Sequence, residues 1–200
     1  MRVGVLASGR GSNVQALLEA YPVGHPLVQI VCVLSNRAGC GAVERAQLAG
    51  IPAHVVARQA YPSRQEQQAV MAQLLIKEQV DLVVLAGFDQ VVCAALLEPF
   101  AGRIINIHPS LLPAFGGTLH AQREALAHGV KVTGCTVHFV TASVDEGPII
   151  AQAAVSVDDD DDEAQLAARI LEQEHRLLPQ VVGWRAEGRV RLEGRRVRIT

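Results

Sequence analysis

A short run in the middle of the chain combines an amide, an imidazole and two prolines: Asn106-Ile107-His108-Pro109-Ser110-Leu111-Leu112-Pro113. Alternation in an extended segment places the side chains of Asn106 and His108 on the same side, and Pro109 disfavours helical geometry at His108. An amide donor beside an imidazole can stabilise an oxyanion and move a proton, and acyl transfer needs both. Asn106 and His108 are therefore a candidate catalytic pair; the alternative is a structural histidine at a strand end.

An acidic turn later in the chain could supply a third group. Val144-Asp145-Glu146-Gly147-Pro148 separates two β-rich runs. A carboxylate that faced the imidazole would stabilise its protonated form. The spacing does not show that the two groups meet, and an exposed turn is the alternative. His138, on the alternating segment 136–140, is either a core histidine with a satisfied hydrogen bond or a support for the site.

A glycine-rich segment, Ser8-Gly9-Arg10-Gly11-Ser12-Asn13, lies between a predicted strand and a predicted helix. Glycines let the backbone turn tightly and expose N–H groups, and the helix N-terminus adds a positive dipole end, so the segment favours a phosphate. The dinucleotide pattern fails, because Val14 stands where its third glycine belongs and Ser35-Asn36, not an acid, end the second strand. A small phosphomonoester fits better; the alternative is an ordinary glycine-rich turn.

These groups need a scaffold, and the apolar pattern predicts an α/β fold. Runs that are apolar at every position, such as residues 82–86, are typical of parallel strands covered on both faces. Ligands of such sheets bind outside the carboxyl ends of the strands, where the His108 run falls. The predicted strands are 2–7, 28–34, 53–56, 81–86 and 103–107, and the predicted helices are 13–20, 42–49, 63–78 and 91–97.

The pattern changes after Pro113. A helix is predicted over 121–128, and two β-rich runs, 131–140 and 148–157, predict an antiparallel addition to the same sheet. Five aspartates, 158–162, precede a long amphipathic helix over 163–187. We expect a solvated loop whose last carboxylates favour the helix N-terminus, with metal binding as the alternative. The tail, 189–198, predicts a hairpin with Gly194 at its turn.

Composition excludes several classes of protein. Of the 200 residues 50% are hydrophobic and 19% charged, which excludes global disorder. Eighteen Lys and Arg against 20 Asp and Glu leave a net charge of −2, which disfavours nucleic acid as a partner. No apolar run reaches transmembrane length, and the N-terminal run indicates a buried strand rather than a signal peptide. The four cysteines lack metal spacing, so we expect a cytoplasmic protein with reduced thiols and no metal site.

Several segments together resemble the phosphoribosylglycinamide formyltransferases, folate-dependent enzymes of purine biosynthesis. They are residues 9–13, 85–88, 106–113, 137–140, 145–150 and 173–175. The run 106–113 is shared by the wider formyltransferase group, whereas the N-terminal Gly-Ser-Asn is more particular to the phosphoribosylglycinamide formyltransferases. The resemblance covers nearly the whole chain. It implies a Rossmann-like formyltransferase fold, with a mostly parallel central sheet, helices on both faces and an antiparallel C-terminal extension.

The resemblance also implies an activity and a set of roles. A formyl group would pass from the co-substrate 10-formyltetrahydrofolate to the amine of 5′-phosphoribosylglycinamide, and the protein would be a monomer or a homodimer whose partners are small molecules. We expect a single domain, 1–200, with a phosphate-binding half over 1–105 and a catalytic and folate-binding half over 106–200. The catalytic residues would be Asn106, His108 and Asp145; the ribonucleotide would contact Gly11, Ser12, Asn13 and Glu174; the folate would contact Phe88, Asp89, Gln90, Val91, Val92, Ile104 and Val140; His120 and His138 would support the site.

Two segments depart from the family pattern. Asp89-Gln90 follow Phe88 where the family has Met-Arg, so the folate-side contact of that arginine is missing or replaced. The loop 115–120 is one residue longer than the pattern and lacks the proline that normally follows the aromatic residue.

Two other functions remain open at this point. One is a 10-formyltetrahydrofolate deformylase, a hydrolase that passes the formyl group to water. The chain starts directly at the first strand, without the extra N-terminal domain of the deformylases, which favours transfer to an amine. The other is a non-enzymatic folate- or nucleotide-binding protein, which the retained Asn106, His108 and Asp145 disfavour.

Overall fold

The structure, a computed structural model, describes all residues from 1 to 200, and its regular elements alternate along the chain as the pattern predicts. The strands are β1 (Arg2–Leu6), β2 (Gln29–Ser35), β3 (Ala53–Val55), β4 (Leu82–Leu85), β5 (Ile104–His108), β6 (Val132–Phe139), β7 (Ile149–Ser156), β8 (Val190–Glu193) and β9 (Arg196–Ile199). The helices are α1 (Ser12–Ala20), α2 (Gly41–Leu48), α3 (Arg64–Lys77), α4 (Ala94–Leu97), α5 (Ala121–His128) and α6 (Glu163–Ala186), with a 3₁₀ turn at Arg58–Ala60.

Seven strands form one mixed sheet in the hydrogen-bonded order β3-β2-β1-β4-β5-β6-β7, and β8 pairs with β9 in a separate hairpin. The predicted fold class is therefore confirmed. Residue contacts divide the chain into two compact units, Met1–Ile105 and Asn106–Thr200. That the whole chain acts as one domain stays a prediction.

In the first unit, β1 lies between β2 and β4 and runs parallel to both. Val5 stands opposite Val33 on one side and Val84 on the other, and all three side chains are completely buried. This burial explains why these strands are apolar at every position, since a central parallel strand has no face in water.

In the second unit, β6 and β7 are antiparallel, as predicted, with Cys135 opposite Ala153. The long helix α6 begins at a capping box, in which Asp162 and Gln165 each accept from the other's backbone N–H. Its buried face, which includes Ile170 and Leu178, packs against β6 and β7. The expected hairpin also forms, with Gly194 in a left-handed conformation at its turn.

The aspartate run is only partly a solvated loop. Asp162 caps α6 as expected, but Asp158 and Asp161 both pair with Arg169, two turns into the helix, at 2.9 and 2.6 Å. The run therefore fastens the start of α6 through an arginine that the charge pattern alone does not single out.

One predicted helix is wrong over part of its length. The expected helix 91–97 begins only at Ala94. The three preceding residues take no regular structure, because the buried amide of Gln68 on α3 engages the carbonyl of Val91 and the N–H of Cys93. None of the helices has the length and apolar character needed to cross a bilayer.

Candidate active site

His108 is the last residue of β5, and its imidazole is enclosed, with 5% of the residue exposed. Its Nε2 lies 2.8 Å from the carbonyl oxygen of Phe115, and its Nδ1 lies 3.3 Å from Oδ2 of Asp145. Both neighbours are hydrogen-bond acceptors, so each ring nitrogen is placed to donate. The imidazole of His108 is therefore held between two acceptors, one on each ring nitrogen.

Asp145 connects the acidic turn to the two histidines, 37 residues from His108 along the chain. Besides His108, its carboxylate accepts from the backbone N–H of Gly117 at 2.8 Å and lies 3.5 Å from Nε2 of His138. Burial by itself would raise the pKa of Asp145, but the His138 contact, the Gly117 N–H and the charge of His108 together lower it. The carboxylate is thus held in its charged form.

His138 joins the amide to this group. Its Nδ1–H donates to the carbonyl of Phe139 at 2.9 Å, and its Nε2 lies 3.2 Å from the amide nitrogen of Asn106. Nε2 of His138 therefore lies between the amide of Asn106 and the carboxylate of Asp145. Without a proton, Nε2 accepts from the amide of Asn106; with a proton, it donates to the carboxylate of Asp145. Asn106, His108, His138 and Asp145 form one continuous polar cluster.

The acidic turn reaches this cluster because a glycine lets it approach β6. A Cβ at Gly147 would stand 1.7 Å from the carbonyl oxygen of Phe139, so no side chain fits there. Asp145 itself adopts a left-handed conformation with φ 54°. Aspartate tolerates this region better than most residues, which allows the carboxylate to point back at the histidines.

Two residues that the sequence analysis missed, one of them buried, hold the run after His108. The hydroxyl of Thr136, completely buried on β6, donates to the carbonyl of Ser110 at 2.7 Å and accepts from the N–H of Leu112 at 3.0 Å. The amide of Gln152 on β7 donates to this hydroxyl and to the carbonyl of Leu112. A usable signal for Thr136 existed, since Thr136 and His138 alternate with the apolar residues Cys135, Val137 and Phe139 in the second half of β6.

The glycine-rich segment lies in the first unit, at the start of α1. Gly11 precedes the helix with φ 75°, no side chain caps the helix and no acidic residue occupies its first turn. The first N–H groups of a helix have no partner within it, so this end favours an anion. A Cβ at Gly11 would lie 2.5 Å from Cα of Ala42, so α2 also requires glycine there. Ser12 and Asn13 form the first turn, and Asn13 is buried.

The segment predicted to contact folate, residues 88–92, follows β4 in the same unit. Asp89 does not extend freely from it: its carboxylate accepts from the amide of Asn36 at 2.7 Å and pairs with Arg37. Val91 is exposed, whereas Val92 and Ile104 are buried. The side-chain oxygen of Gln90 is enclosed without a hydrogen-bond partner.

The remaining predicted residues lie in the second unit. Glu174 is buried in the middle of α6, and Val140 follows β6 and is partly exposed. His120 is exposed before α5; its backbone N–H donates to the hydroxyl of Thr118 at 3.0 Å, and its carbonyl accepts from the N–H of Glu124 at 3.0 Å. The structure thus brings His138 into the polar cluster around His108 and leaves His120 outside it. No group of three or more His, Cys, Asp and Glu side chains has the arrangement of a metal site.

Known proteins resemble this chain throughout its length. Residues 1–182 match the family described as Formyl transferase. Phosphoribosylglycinamide formyltransferase of Escherichia coli (strain K12) is 41% identical over 192 residues, which are 96% of this chain and 90% of that protein. The trifunctional purine biosynthetic protein adenosine-3 of Homo sapiens is 41% identical over 96% of this chain, which spans 19% of that longer protein.

Solved structures agree with the sequence relatives. Glycinamide ribonucleotide transformylase 1 from Symbiobacterium toebii has a TM-score of 0.94 at 51% identity, with 100% of this chain and 93% of that chain covered. Phosphoribosylglycinamide formyltransferase from Anaplasma phagocytophilum has a TM-score of 0.93 at 44% identity, with the same coverage.

Proposed function

This chain belongs to the formyl transferase family, and on that premise we propose that it passes the formyl group of 10-formyltetrahydrofolate to the amine of 5′-phosphoribosylglycinamide, a step of purine biosynthesis. The observation that carries the proposal is the cluster of Asn106, His108 and Asp145, whose contacts suit acyl transfer. Relatives named for this activity match nearly the full chain, and nothing favours hydrolysis of the formyl donor instead.

The reaction needs an oxyanion to be stabilised and one proton to be moved. The amine attacks the formyl carbon, the C=O bond opens, and a tetrahedral carbon forms with a negative oxygen. As the C–N10 bond breaks, the electron pair returns to the carbonyl, N10 takes up a proton and the attacking nitrogen loses one. A cationic donor and an amide next to that oxygen lower the barrier, because the charge develops where they point.

His108 is placed to supply the cationic donor. Its Nε2–H now donates to the carbonyl of Phe115, so the formyl oxygen would replace that carbonyl as the acceptor. Asp145 on Nδ1 keeps the ring oriented and balances its charge throughout the step. Asn106 adds the second donor, and holding two substrates in line accounts for much of the remaining rate.

The substrate contacts follow the same assignment. The N–H groups at Gly11, Ser12 and Asn13 would bind the phosphate of the ribonucleotide, and Glu174 its ribose. The formyl donor would contact the segment 88–92, with Ile104 and Val140. Support comes from the uncapped N-terminus of α1 and from the left-handed Gly11 that no other residue could replace without strain.

The proposal is tested by the purified protein with both substrates. Release of tetrahydrofolate should require phosphoribosylglycinamide and should be much slower in the Asn106→Ala and His108→Ala variants. Release that proceeds equally without the ribonucleotide would show hydrolysis and contradict the proposal. No release by the wild-type protein, folded and at saturating substrates, would contradict it as well.

A further inference from the structure

The segment after β4 that is proposed to bind the formyl donor is fixed from behind by one buried side chain. Gln68, on α3, has no exposed surface. Its amide nitrogen donates to the carbonyl of Val91 at 3.0 Å, and its amide oxygen accepts from the N–H of Cys93 at 2.8 Å. One side chain thus makes the pair of hydrogen bonds that a neighbouring strand would make to residues two apart.

This pairing determines which backbone groups remain available. Cys93 is extended, with φ −102° and ψ 171°. In an extended segment successive residues direct their N–H and C=O to opposite sides. Since Val91 and Cys93 turn theirs toward Gln68, Val92 between them presents its N–H and C=O on the opposite side.

The other end of the segment is fixed by a second set of contacts. The N–H of Asp89 donates to the hydroxyl of Ser8 at 3.0 Å, and that hydroxyl donates to Asn36 at 2.6 Å. Asn36 in turn donates to the carboxylate of Asp89, which also pairs with Arg37. Asp89, one of the two residues that depart from the family pattern, is therefore turned back onto the ends of β1 and β2. The backbone of the segment is thus held at both of its ends.

We propose that Gln68 is a positioning residue for the formyl donor: by clamping Val91 and Cys93 it holds the backbone of Val92 ready to hydrogen-bond the donor's heterocycle. The inference rests on the proposed function, because it assumes that the segment 88–92 contacts this substrate. A preorganised donor and acceptor improve binding by removing the cost of ordering the segment. Gln68 contacts no substrate itself, so a substitution there should change the affinity for the formyl donor and leave the affinity for the ribonucleotide unchanged.

The test compares substitutions at Gln68 with the same substitutions at Gln65, which is exposed one turn earlier on the same helix. Gln68→Leu removes both hydrogen bonds, and Gln68→Glu replaces the donor to Val91 with a negative oxygen. We expect the KM for 10-formyltetrahydrofolate to rise by about tenfold or more in both, as the loss of buried hydrogen bonds implies. The KM for phosphoribosylglycinamide and kcat should change less than about twofold, and Gln65→Leu and Gln65→Glu should match the wild type.

A pH series separates positioning from simple packing. A protonated carboxyl can donate to Val91 and accept from Cys93 as the amide does. The donor KM of Gln68→Glu should therefore fall toward the wild-type value as the pH is lowered, whereas that of Gln68→Leu should stay raised. Thermal unfolding of each variant is measured in parallel, and kinetics are compared below the unfolding transition.

Should Gln68→Leu and Gln68→Glu not fold, the milder Gln68→Asn tests the same clamp. Its amide is one methylene shorter and cannot reach both Val91 and Cys93, so the donor KM should again rise alone. An unchanged donor KM, or an equal rise of both KM values, would overturn the inference. A wild-type protein that transfers no formyl group would instead overturn the proposed function, so the two failures are distinguishable.

Discussion

The imidazole of His108 has an acceptor at each nitrogen, so its loss would remove both the donor proposed for the formyl oxygen and the contact with Asp145. We expect His108→Ala to lower kcat by about 10²- to 10³-fold, the usual effect of deleting an oxyanion donor. Both KM values should stay near the wild type, since binding contacts are untouched. Steady-state kinetics measure this, with His120→Ala as the matched control because that ring is exposed and outside the cluster. Equal losses in the two variants would contradict the assignment.

Asp145 links the cluster to acid stability. Burial opposes its charge, but the His138 contact, the Gly117 N–H and the charge of His108 outweigh it, so its pKa in the folded protein lies below the ordinary 3.8. A carboxyl group whose pKa is lower in the folded than in the unfolded protein stabilises the fold at pH values above 3.8. This stabilisation is lost as the pH falls from 3.8 toward the pKa in the folded protein. Denaturant unfolding of wild type and Asp145→Asn from pH 7 to pH 2 should therefore show curves that converge on acidification. Curves that stay parallel would rule this contribution out.

At the scale of elements, the turn between β6 and β7 depends on Gly147. An added methyl group would stand 1.7 Å from the carbonyl of Phe139, so Gly147→Ala must push the turn away from β6. We expect the free energy of unfolding to fall by about 1–3 kcal/mol, and kcat to fall as Asp145 moves from His108. Urea titration and kinetics test this, and Glu146→Ala, exposed in the same turn, should leave stability within experimental error.

The glycine-rich segment before α1 offers a matched pair of its own. Gly11 has φ 75° and lies against the backbone of Ala42, whereas Gly9 has open space around it. Gly11→Ala should lower the free energy of unfolding by about 1–3 kcal/mol through strain and close contact. It should also raise the KM for the ribonucleotide, because the first N–H groups of α1 shift. Gly9→Ala should preserve the free energy of unfolding. Equal destabilisation by both variants would contradict the claim that only Gly11 is strained and closely packed.

For the whole molecule, the strands were predictable because a parallel sheet buried on both faces demands apolar residues throughout, as Val5, Val33 and Val84 show. The contact between His108 and Asp145 was not predictable, because local sequence patterns carry no information on which distant turn folds back onto His108. The predicted start of α4 was wrong for a related reason. The predicted helix included residues 91–93, but Gln68, 23 residues before Val91, binds the carbonyl of Val91 and the N–H of Cys93. Local preference yields where a buried polar side chain must be satisfied.

Three of the four thiols provide a test of both compact units at once. Burial, the largest cause in each case, raises the pKa of Cys32 in the first unit and of Cys135 in the second to about 12, from an ordinary 9.0. At neutral pH their thiolates are about a thousandfold rarer than those of an ordinary thiol, and the thiolate is the reactive form. Maleimide labelling of the native protein, followed by mass spectrometry, should therefore modify Cys93, which is partly exposed, well before either of them. Because each buried thiol can react only when its own unit opens, labelling of Cys32 and Cys135 should begin at the denaturant concentrations where that unit unfolds. Rapid labelling of either in native buffer would contradict the burial on which this core depends.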